Sequence, residues 1–177
     1  MDELTRLLHD AADGDRVALS AFVRRTQADV WRFCAHLVDP AAADDLTQDV
    51  YLRALRAASR FRGESSARTW LLSIARRTAA DEIRRRQRRR RLPTIDPPAP
   101  TPGITSDIEL VDLVDTLADL DQRAAFVLTQ LLGFTYAEAA DSLGVPIGTI
   151  RSRVARARAQ LLEHLADDTD RGTAADH

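Results

Sequence analysis

Apolar residues recur every three or four positions over most of the chain, which is the period of amphipathic helices. Ahead of Pro40 that period is carried by Leu19, Phe22, Val23, Val30, Phe33, Cys34 and Leu37. It predicts further helices over about 41–58, 69–90, 107–118, 122–132, 136–143 and 147–165. No segment alternates apolar and polar residues as a half-buried strand does. The sequence therefore predicts an all-α fold.

Five of the seven prolines lie between Pro93 and Pro102. Proline fixes φ and lacks an N–H donor, so this stretch cannot form a regular helix and is typical of an extended linker. We therefore expect two small helical domains, over 1–91 and 107–166, with a Pro-rich linker over 92–106 and a polar tail over 167–177.

Charge is divided unevenly between these domains. Residues 1–91 hold 19 Arg and 13 acids, whereas residues 107–177 hold 6 Arg and 13 acids. Basic charge concentrated in one part favours a nucleic-acid partner despite the net charge of −2.

Cys34 is the single cysteine, as is common in a reducing cytoplasm. With neither a signal-peptide pattern nor an apolar run of about 18 residues, we expect a cytoplasmic protein without membrane insertion.

The segment 135–162 reads TYAEAADSLGVPIGTIRSRVARARAQLL. Thr135 and Glu138 predict a capping box, and Gly144 and Pro146 predict a turn before the next helix. In that helix an apolar stripe predicts the buried face: Ile150, Val154, Ala157 and Leu161. The opposite face carries Thr149, Arg151, Ser152, Arg153, Ala155, Arg156 and Arg158. Two short helices with a tight turn and a basic second helix predict a helix-turn-helix that enters a major groove.

Arg151 and Ser152 lie near the start of this helix, where base edges are closest, so we expect them to read bases. Ala155 would touch bases only through its methyl group. Arg153, Arg156 and Arg158 would bind phosphate and fix the register. The alternative is that this arginine face is simply solvated.

The run GxxxGTIRSRVARARAQL in this segment resembles domain 4 of the extracytoplasmic-function (ECF) sigma factors, the smallest initiation factors of the sigma-70 family. The resemblance implies that the helix reads a −35 promoter element. It also implies a partner, the core RNA polymerase, and an architecture in which a linker replaces the middle domain of larger sigma factors.

In the first domain one stripe faces away from the predicted core: Asp45, Gln48, Asp49 and Leu52. An acidic stripe with an exposed Leu would suit a basic partner helix, although it can also be an ordinary solvated face. The surrounding DDLTQDVYLRAL resembles the core-binding helix of the same family. That resemblance implies docking on the clamp helices of the polymerase β′ subunit, with further contact to the β subunit.

The stretch FRGESSARTWLLSIARRTAADEIRRR, residues 61–86, resembles the segment that melts and reads the −10 element. A base drawn out of the duplex needs polar and cationic groups nearby. The residues implied are Arg62, Glu64, Ser65, Ser66, Arg68, Arg76, Arg77 and Arg84. Arg77 stands where family members often carry Asn, which puts a family base-reading rule in doubt there. We interpret Phe61 and Trp70 as core anchors.

Seven of the eight residues 84–91 are Arg, and such a run favours a polyanion as partner. Across the linker lies an acidic cluster of Asp107, Glu109, Asp112, Asp115, Asp119 and Asp121. Opposite charges on tethered domains predict that the free protein hides its own DNA-binding surfaces. The alternative is two independent domains joined by the linker.

No motif for catalysis, a cofactor or a metal is present, so we expect no enzyme activity, no cofactor and no metal site. Promoter DNA, core RNA polymerase and an anti-sigma factor are the partners that the family resemblance implies. Two alternatives stay open: a stand-alone helix-turn-helix regulator, and an Arg-rich RNA-binding protein.

Overall fold

The structure is a computed structural model that describes residues 1–90, 113, 114 and 116–174, with side chains up to residue 89 and from 113 to 166 except 115. In the described part the chain is all-α, as predicted, and no strand occurs. The helices are α1 (Glu3–Ala12), α2 (Arg16–Leu37), α3 (Pro40–Ala57), α4 (Ala67–Arg90), α5 (Leu120–Phe126), α6 (Tyr136–Leu143) and α7 (Ile147–Ala174).

The first domain is a bundle of α1 to α4, built around the long helix α2. Phe22, Val30 and Phe33 of α2 are almost fully buried and form the centre of its apolar core. Asp15 caps the start of α2 and Asp39 caps α3, whose first residue is Pro40. These caps satisfy helix N–H groups that have no partner within the helix. The helices predicted before Pro40 and over 41–58 and 69–90 are confirmed within a few residues.

Helix α1 is absent from the predicted helices, although Leu4, Leu7 and Leu8 have helical spacing. Asp2 caps it, since its side chain accepts a hydrogen bond from the Thr5 backbone N–H. Leu8 is 1% exposed in the core. Because the helix has only 10 residues, its stability comes from packing on α2 and α4 more than from propensity.

The second domain consists of α5 to α7 and a wide helical turn, Val127–Leu131, that continues α5. Helices were predicted over 122–132, 136–143 and 147–165, and all three are confirmed. Helix α7 continues to Ala174, so residues 167–174 of the predicted polar tail are helical. The predicted linker over 92–106, and residues 107–112 of the helix predicted over 107–118, lie outside the described residues. In the rest of that predicted helix, residues 113 and 114 are helical, whereas 116–118 are not, so its predicted end is wrong. Val114 and Leu117 are nevertheless fully buried as predicted.

The buried residues of the two domains form one continuous apolar cluster that runs from Leu8 in α1 to Val154 in α7. It crosses the boundary where α2 meets α5 and where α4 meets α6. The second domain therefore rests directly on the first.

We predict that folding stability falls as pH rises from about 9 to 12. Burial raises the pKa of the Cys34 thiol from 9.0 to about 12. Burial also raises the pKa of Tyr51, from 10.0 to about 12, with partial compensation by its hydrogen bond to Thr26. In the unfolded chain both groups ionise at lower pH, so the free energy of unfolding decreases through this window. The chain has no lysine to titrate there.

Urea unfolding followed by circular dichroism at pH 8, 9.5 and 10.5 measures this dependence. Cys34→Ala should flatten the pH dependence even though it lowers stability at pH 8. A stability that is constant up to pH 10.5 in the wild-type chain would show that these groups are not protected by burial.

Candidate nucleic-acid interface

Helices α6 and α7 and the turn between them form the predicted helix-turn-helix. The capping box is confirmed: the Thr135 hydroxyl accepts from the Glu138 N–H, and the Glu138 carboxylate accepts from the Thr135 N–H at 2.8 Å. The hydrogen bonds that the Thr135 N–H and hydroxyl donate to the Glu138 carboxylate lower the pKa of Glu138. Gly144 ends α6 with φ +65°, a left-handed conformation that glycine adopts without strain.

Helix α7 buries its apolar stripe as predicted, with Ile150, Val154 and Ala157 at most 1% exposed. On the opposite face, Arg151, Ser152, Ala155, Arg156 and Arg158 are exposed and Thr149 is half-buried. Arg158 donates a hydrogen bond to Gln130, and Arg156 donates to the backbone carbonyl of Ser152. Arg153 is the exception, because its guanidinium is only 17% exposed and pairs with Asp121 at 2.9 Å.

The predicted stripe on α3 lies on the surface of the first domain, away from the second. Asp45, Gln48 and Leu52 are exposed, and Leu52 retains 54% of its accessible surface. Leu55, one turn further on, is 42% exposed. The Asp49 carboxylate is half-buried and pairs with Arg53 at 3.0 Å. Two exposed leucines beside carboxylates form a mixed surface that would fit a basic, apolar partner helix.

The loop before α4 and the first turns of α4 hold the residues predicted for −10 DNA. Arg62 and Glu64 are exposed, while Ser65 and Ser66 are half-buried. Ser66 caps α4, since its hydroxyl accepts from the Thr69 N–H at 3.1 Å. Phe61 is 8% exposed and its ring centroid lies 5.1 Å from that of Trp70, so Phe61 is a core anchor as predicted.

The arginines predicted to bind −10 DNA differ in their ion-pair partners and in their exposure. Arg68 pairs with Asp29 at 2.7 Å, Arg76 pairs with Asp121, and Arg84 pairs with Asp81 three residues earlier. Arg77 is exposed.

The basic run after Ile83 begins with ion pairs inside the first domain. Arg85 and Arg86 both pair with Glu82, and Arg86 also pairs with Asp39. Burial alone would raise the pKa of Glu82, but hydrogen bonds from Arg86 and Arg85 lower it below its ordinary value. Arg88 and Arg89 are exposed. The start of the run therefore stabilises α4, and its later residues present charge to solvent.

The second domain covers part of the predicted −10 surface. Arg68 donates to the backbone carbonyl of Leu132 at 2.8 Å, and its guanidinium lies 4.1 Å from the ring centroid of Phe134. Asp121 binds Arg76 of α4 with one carboxylate oxygen and Arg153 of α7 with the other. One carboxylate of the second domain thus engages an arginine from each of the two predicted DNA-reading helices.

A cavity of about 220 Å³ lies beside this contact, between α4 and the helix-turn-helix. Trp70, Arg76 and Arg77 line one wall, and residues 141–144, the end of α6 and its turn, line the other. The Arg76 Nε and Ser142 Oγ atoms are buried at this cavity without a hydrogen-bond partner.

Sequence reasoning did not single out the groups that join the domains. Asp121 belongs to the predicted acidic cluster, but its pairing with Arg76 and Arg153 depends on the fold and leaves no local signal. Phe134 precedes the capping box and is typical of a core residue. Among the described residues, no cluster of three or more metal-binding side chains occurs. The described helices include none with the length and apolarity to cross a bilayer.

Comparison with known families gives two matches that agree with these domains. The family model for Sigma-70 region 2 matches residues 22–89, and that for Sigma-70 region 4 matches residues 109–161. The ECF RNA polymerase sigma factor SigC of Mycobacterium tuberculosis is 50% identical over 175 residues, which cover 94% of each chain. The ECF RNA polymerase sigma-E factor of Haemophilus influenzae is 30% identical over 171 residues, covering 86% of this chain and 89% of that protein.

Two solved structures share the fold over most of the chain. One is CnrH in complex with the cytosolic domain of CnrY, with TM-score 0.75, 25% identity and coverage of 94% of this chain and 99% of that one. The other is the sigma factor RpoE in complex with the anti-sigma factor NepR from Bartonella quintana, with TM-score 0.70, 28% identity and coverage of 84% and 96%. The chain belongs to the sigma-70 family and is an ECF sigma factor, a non-enzymatic factor that binds core RNA polymerase and directs transcription initiation at promoters.

Proposed function

We propose that this sigma factor uses three separate surfaces to bind core polymerase, the −10 element and the −35 element. The α3 stripe docks core polymerase, the loop before α4 and the exposed face of α4 melt and read the −10 element, and the outer face of α7 reads the −35 element. The observation that supports this most directly is α7 itself, which buries one apolar stripe and exposes an arginine and serine face opposite to it.

For the α3 stripe, the proposed partner is the clamp-helix coiled coil of β′, with a further contact to the β subunit. We place the protein in the cytoplasm, where core polymerase and promoter DNA are found. Two of the similar structures hold a second protein, the cytosolic domain of CnrY in one and the anti-sigma factor NepR in the other. An anti-sigma factor is therefore a proposed partner of this chain also.

Run-off transcription with core polymerase from the source cell tests the function as a whole. We expect transcripts from a defined start site only when this chain is added to core polymerase. Equal transcription from that site with and without this chain would contradict the proposal.

Asp49→Arg should weaken the binding of core polymerase and leave the fold intact. The Asp49 side chain is 45% exposed, so reversing its charge creates repulsion toward a basic partner helix. The cost to the fold is the loss of one exposed ion pair with Arg53, about 1 kcal/mol at most. We expect a loss of about 1 kcal/mol or more in binding free energy, read as lower affinity in fluorescence titration. Asp10→Arg on the exposed side of α1 is the charge-matched control. Equal affinities of the two variants would rule out docking through this stripe.

Arg151→Ala should cost about 1–3 kcal/mol in −35 binding and relax the preference at one base position. Arg151 is exposed near the start of α7, and its guanidinium can donate two hydrogen bonds to a guanine. Arg156→Ala, one to two turns further on, should weaken binding about equally for all sequences and reduce its salt dependence. Selection from randomised −35 duplexes measures both effects. If the base preference follows Arg156 instead, the assignment of the two residues is reversed.

We also propose that the contact between the domains is the resting form of the free chain. Part of the proposed −10 surface is covered in this form, because Arg68 and Arg76 bind the second domain. The core-binding stripe and the −35 face remain exposed, as Leu52 and Arg151 illustrate. The resting chain would therefore cover the −10 surface alone. This differs from the pairing expected from sequence, in which the run 84–91 meets the acidic cluster, of which the structure describes only part.

Because the linker tethers the two domains, even weak contacts between them are sufficient to keep the chain closed. A short tether keeps the domains at an effective concentration near 1 mM, so an affinity of about 100 µM between separate domains would keep about nine in ten chains closed. Partly exposed ion pairs contribute about 1 kcal/mol each at most, and salt screens them. The apolar cluster that crosses the boundary adds to this.

Asp121→Asn should open the chain at lower salt than the wild type, because it removes the charge that attracts Arg76 and Arg153 while keeping the side-chain shape. Small-angle scattering across a salt titration measures the change in radius of gyration. Glu163→Gln removes one exposed charge of the same sign from α7 and should behave as wild type. An extended wild-type chain at low salt, or identical curves for all three proteins, would exclude closure through Asp121.

A further inference from the structure

Helix α1 lies outside the residues that match Sigma-70 region 2, yet it contacts both ends of the loop ahead of α4. The loop and the first turn of α4 carry Arg62, Glu64, Ser65, Ser66 and Arg68, the residues proposed above to open the −10 DNA. A role of α1 in holding that loop is therefore distinct from the three surfaces of the proposed function, although it rests on that function.

The C-terminal end of the loop is held by Thr5. Ala67, the first residue of α4, is fully buried, and its backbone N–H donates to the Thr5 hydroxyl at 3.1 Å. This N–H has no partner within its own helix, and a buried donor left unpaired is costly. Ser66 serves the Thr69 N–H instead. The start of α4 is therefore capped twice, once by its own loop and once by a side chain 62 residues away in sequence.

The Thr5 hydroxyl is itself fixed in orientation. It donates to the Asp2 carboxylate at 2.6 Å, while the Thr5 N–H donates to the other oxygen of Asp2 at 2.9 Å. Burial would raise the pKa of Asp2, but these hydrogen bonds lower it. Because a hydroxyl has a single proton, donation to Asp2 leaves its lone pairs directed at the Ala67 N–H.

The N-terminal end of the loop is held by His9. Its ring centroid lies 5.5 Å from that of Phe61, which packs in turn on Trp70. The loop then turns at Gly63, with φ +69°, where an added Cβ would lie 3.9 Å from the His9 Nε2 atom. The turn thus runs close against the His9 ring.

We propose that α1 positions the loop for strand opening, with Thr5 and His9 as the positioning residues. The loop has no regular structure of its own between the turn Ala58–Arg60 and α4. With its two ends fixed by α1, its polar side chains are held in one arrangement when a base leaves the duplex. Preorganisation of this kind lowers the entropy cost of capturing that base. Loss of Thr5 should impair DNA melting more than docking of polymerase or reading of the −35 element.

The test compares two templates in run-off transcription with the full chain and core polymerase. One is a duplex promoter that the wild-type holoenzyme uses, and the other is the same promoter with its −10 region made non-complementary, hence already open. Thr5→Val, which keeps the shape and removes the hydroxyl, should reduce transcription from the duplex about tenfold and from the open template less than twofold. Thr5→Ser should restore duplex transcription.

Thr26→Val is the matched control. Thr26 is equally buried in the same domain, and its hydroxyl bonds to Phe22 and Tyr51, away from the loop. It should lower thermal stability without changing the ratio of the two templates. His9→Ala supplies a second variant if Thr5→Val fails to fold, and it should show the same template dependence.

Equal losses on both templates, or no loss on the duplex, would overturn the positioning role of α1. Failure of the wild-type chain to support transcription from either template would instead contradict the proposed function itself.

Discussion

The contact of the second domain with α4 decides which surfaces of this sigma factor are available to other molecules. Its centre is the Asp121 carboxylate, which binds Arg76 from α4 and Arg153 from α7. A carboxylate shared by two guanidiniums is a directional arrangement that fixes the geometry of the contact. Arg68 adds a hydrogen bond and a cation–π contact to the same boundary. Since Arg68 and Arg76 are proposed DNA-binding residues, the contact would compete directly with promoter DNA.

Because the second domain covers the −10 surface but not the α3 stripe, we infer an order in which the partners bind. The proposed core-binding stripe on α3 is exposed in the closed chain, so core polymerase would be able to bind before the domains separate. Binding of one domain to polymerase and of the other to the −35 element would then favour the open chain, as any ligand favours the state it binds better. In the open chain, contacts with phosphate, which also offers charged acceptors, would replace the ion pair between Asp121 and Arg76.

The elements of the second domain were the most predictable from sequence. In that part, Thr135, Glu138, Gly144 and the stripe from Ile150 to Leu161 each act locally, through capping, turn geometry and helical period. Those signals identified the helix-turn-helix, and the arginine face followed from its position opposite the stripe. The predicted roles of individual arginines stay predictions, because nothing in the free chain tests a contact to DNA.

Long-range pairings were not predictable in the same way. Helix α1 is short and its apolar positions are few, so its importance became visible only through the contact of Thr5 with the start of α4. Asp121 looked like one acid among six in a cluster. Asp121 pairs with Arg76 and Arg153 because of how the helices pack in three dimensions. The local sequence carries no information on that geometry.

Arginine-specific chemical modification of the free chain, read residue by residue by mass spectrometry, tests the central claim most directly. The closed arrangement predicts that Arg151, Arg156 and Arg77 react rapidly at low salt, whereas Arg68 and Arg76, which bind the second domain, react slowly. Raising the salt concentration should bring the slow group toward the fast one, because the ion pairs weaken. If all five residues react at the same rate at low salt, the second domain does not cover the −10 surface.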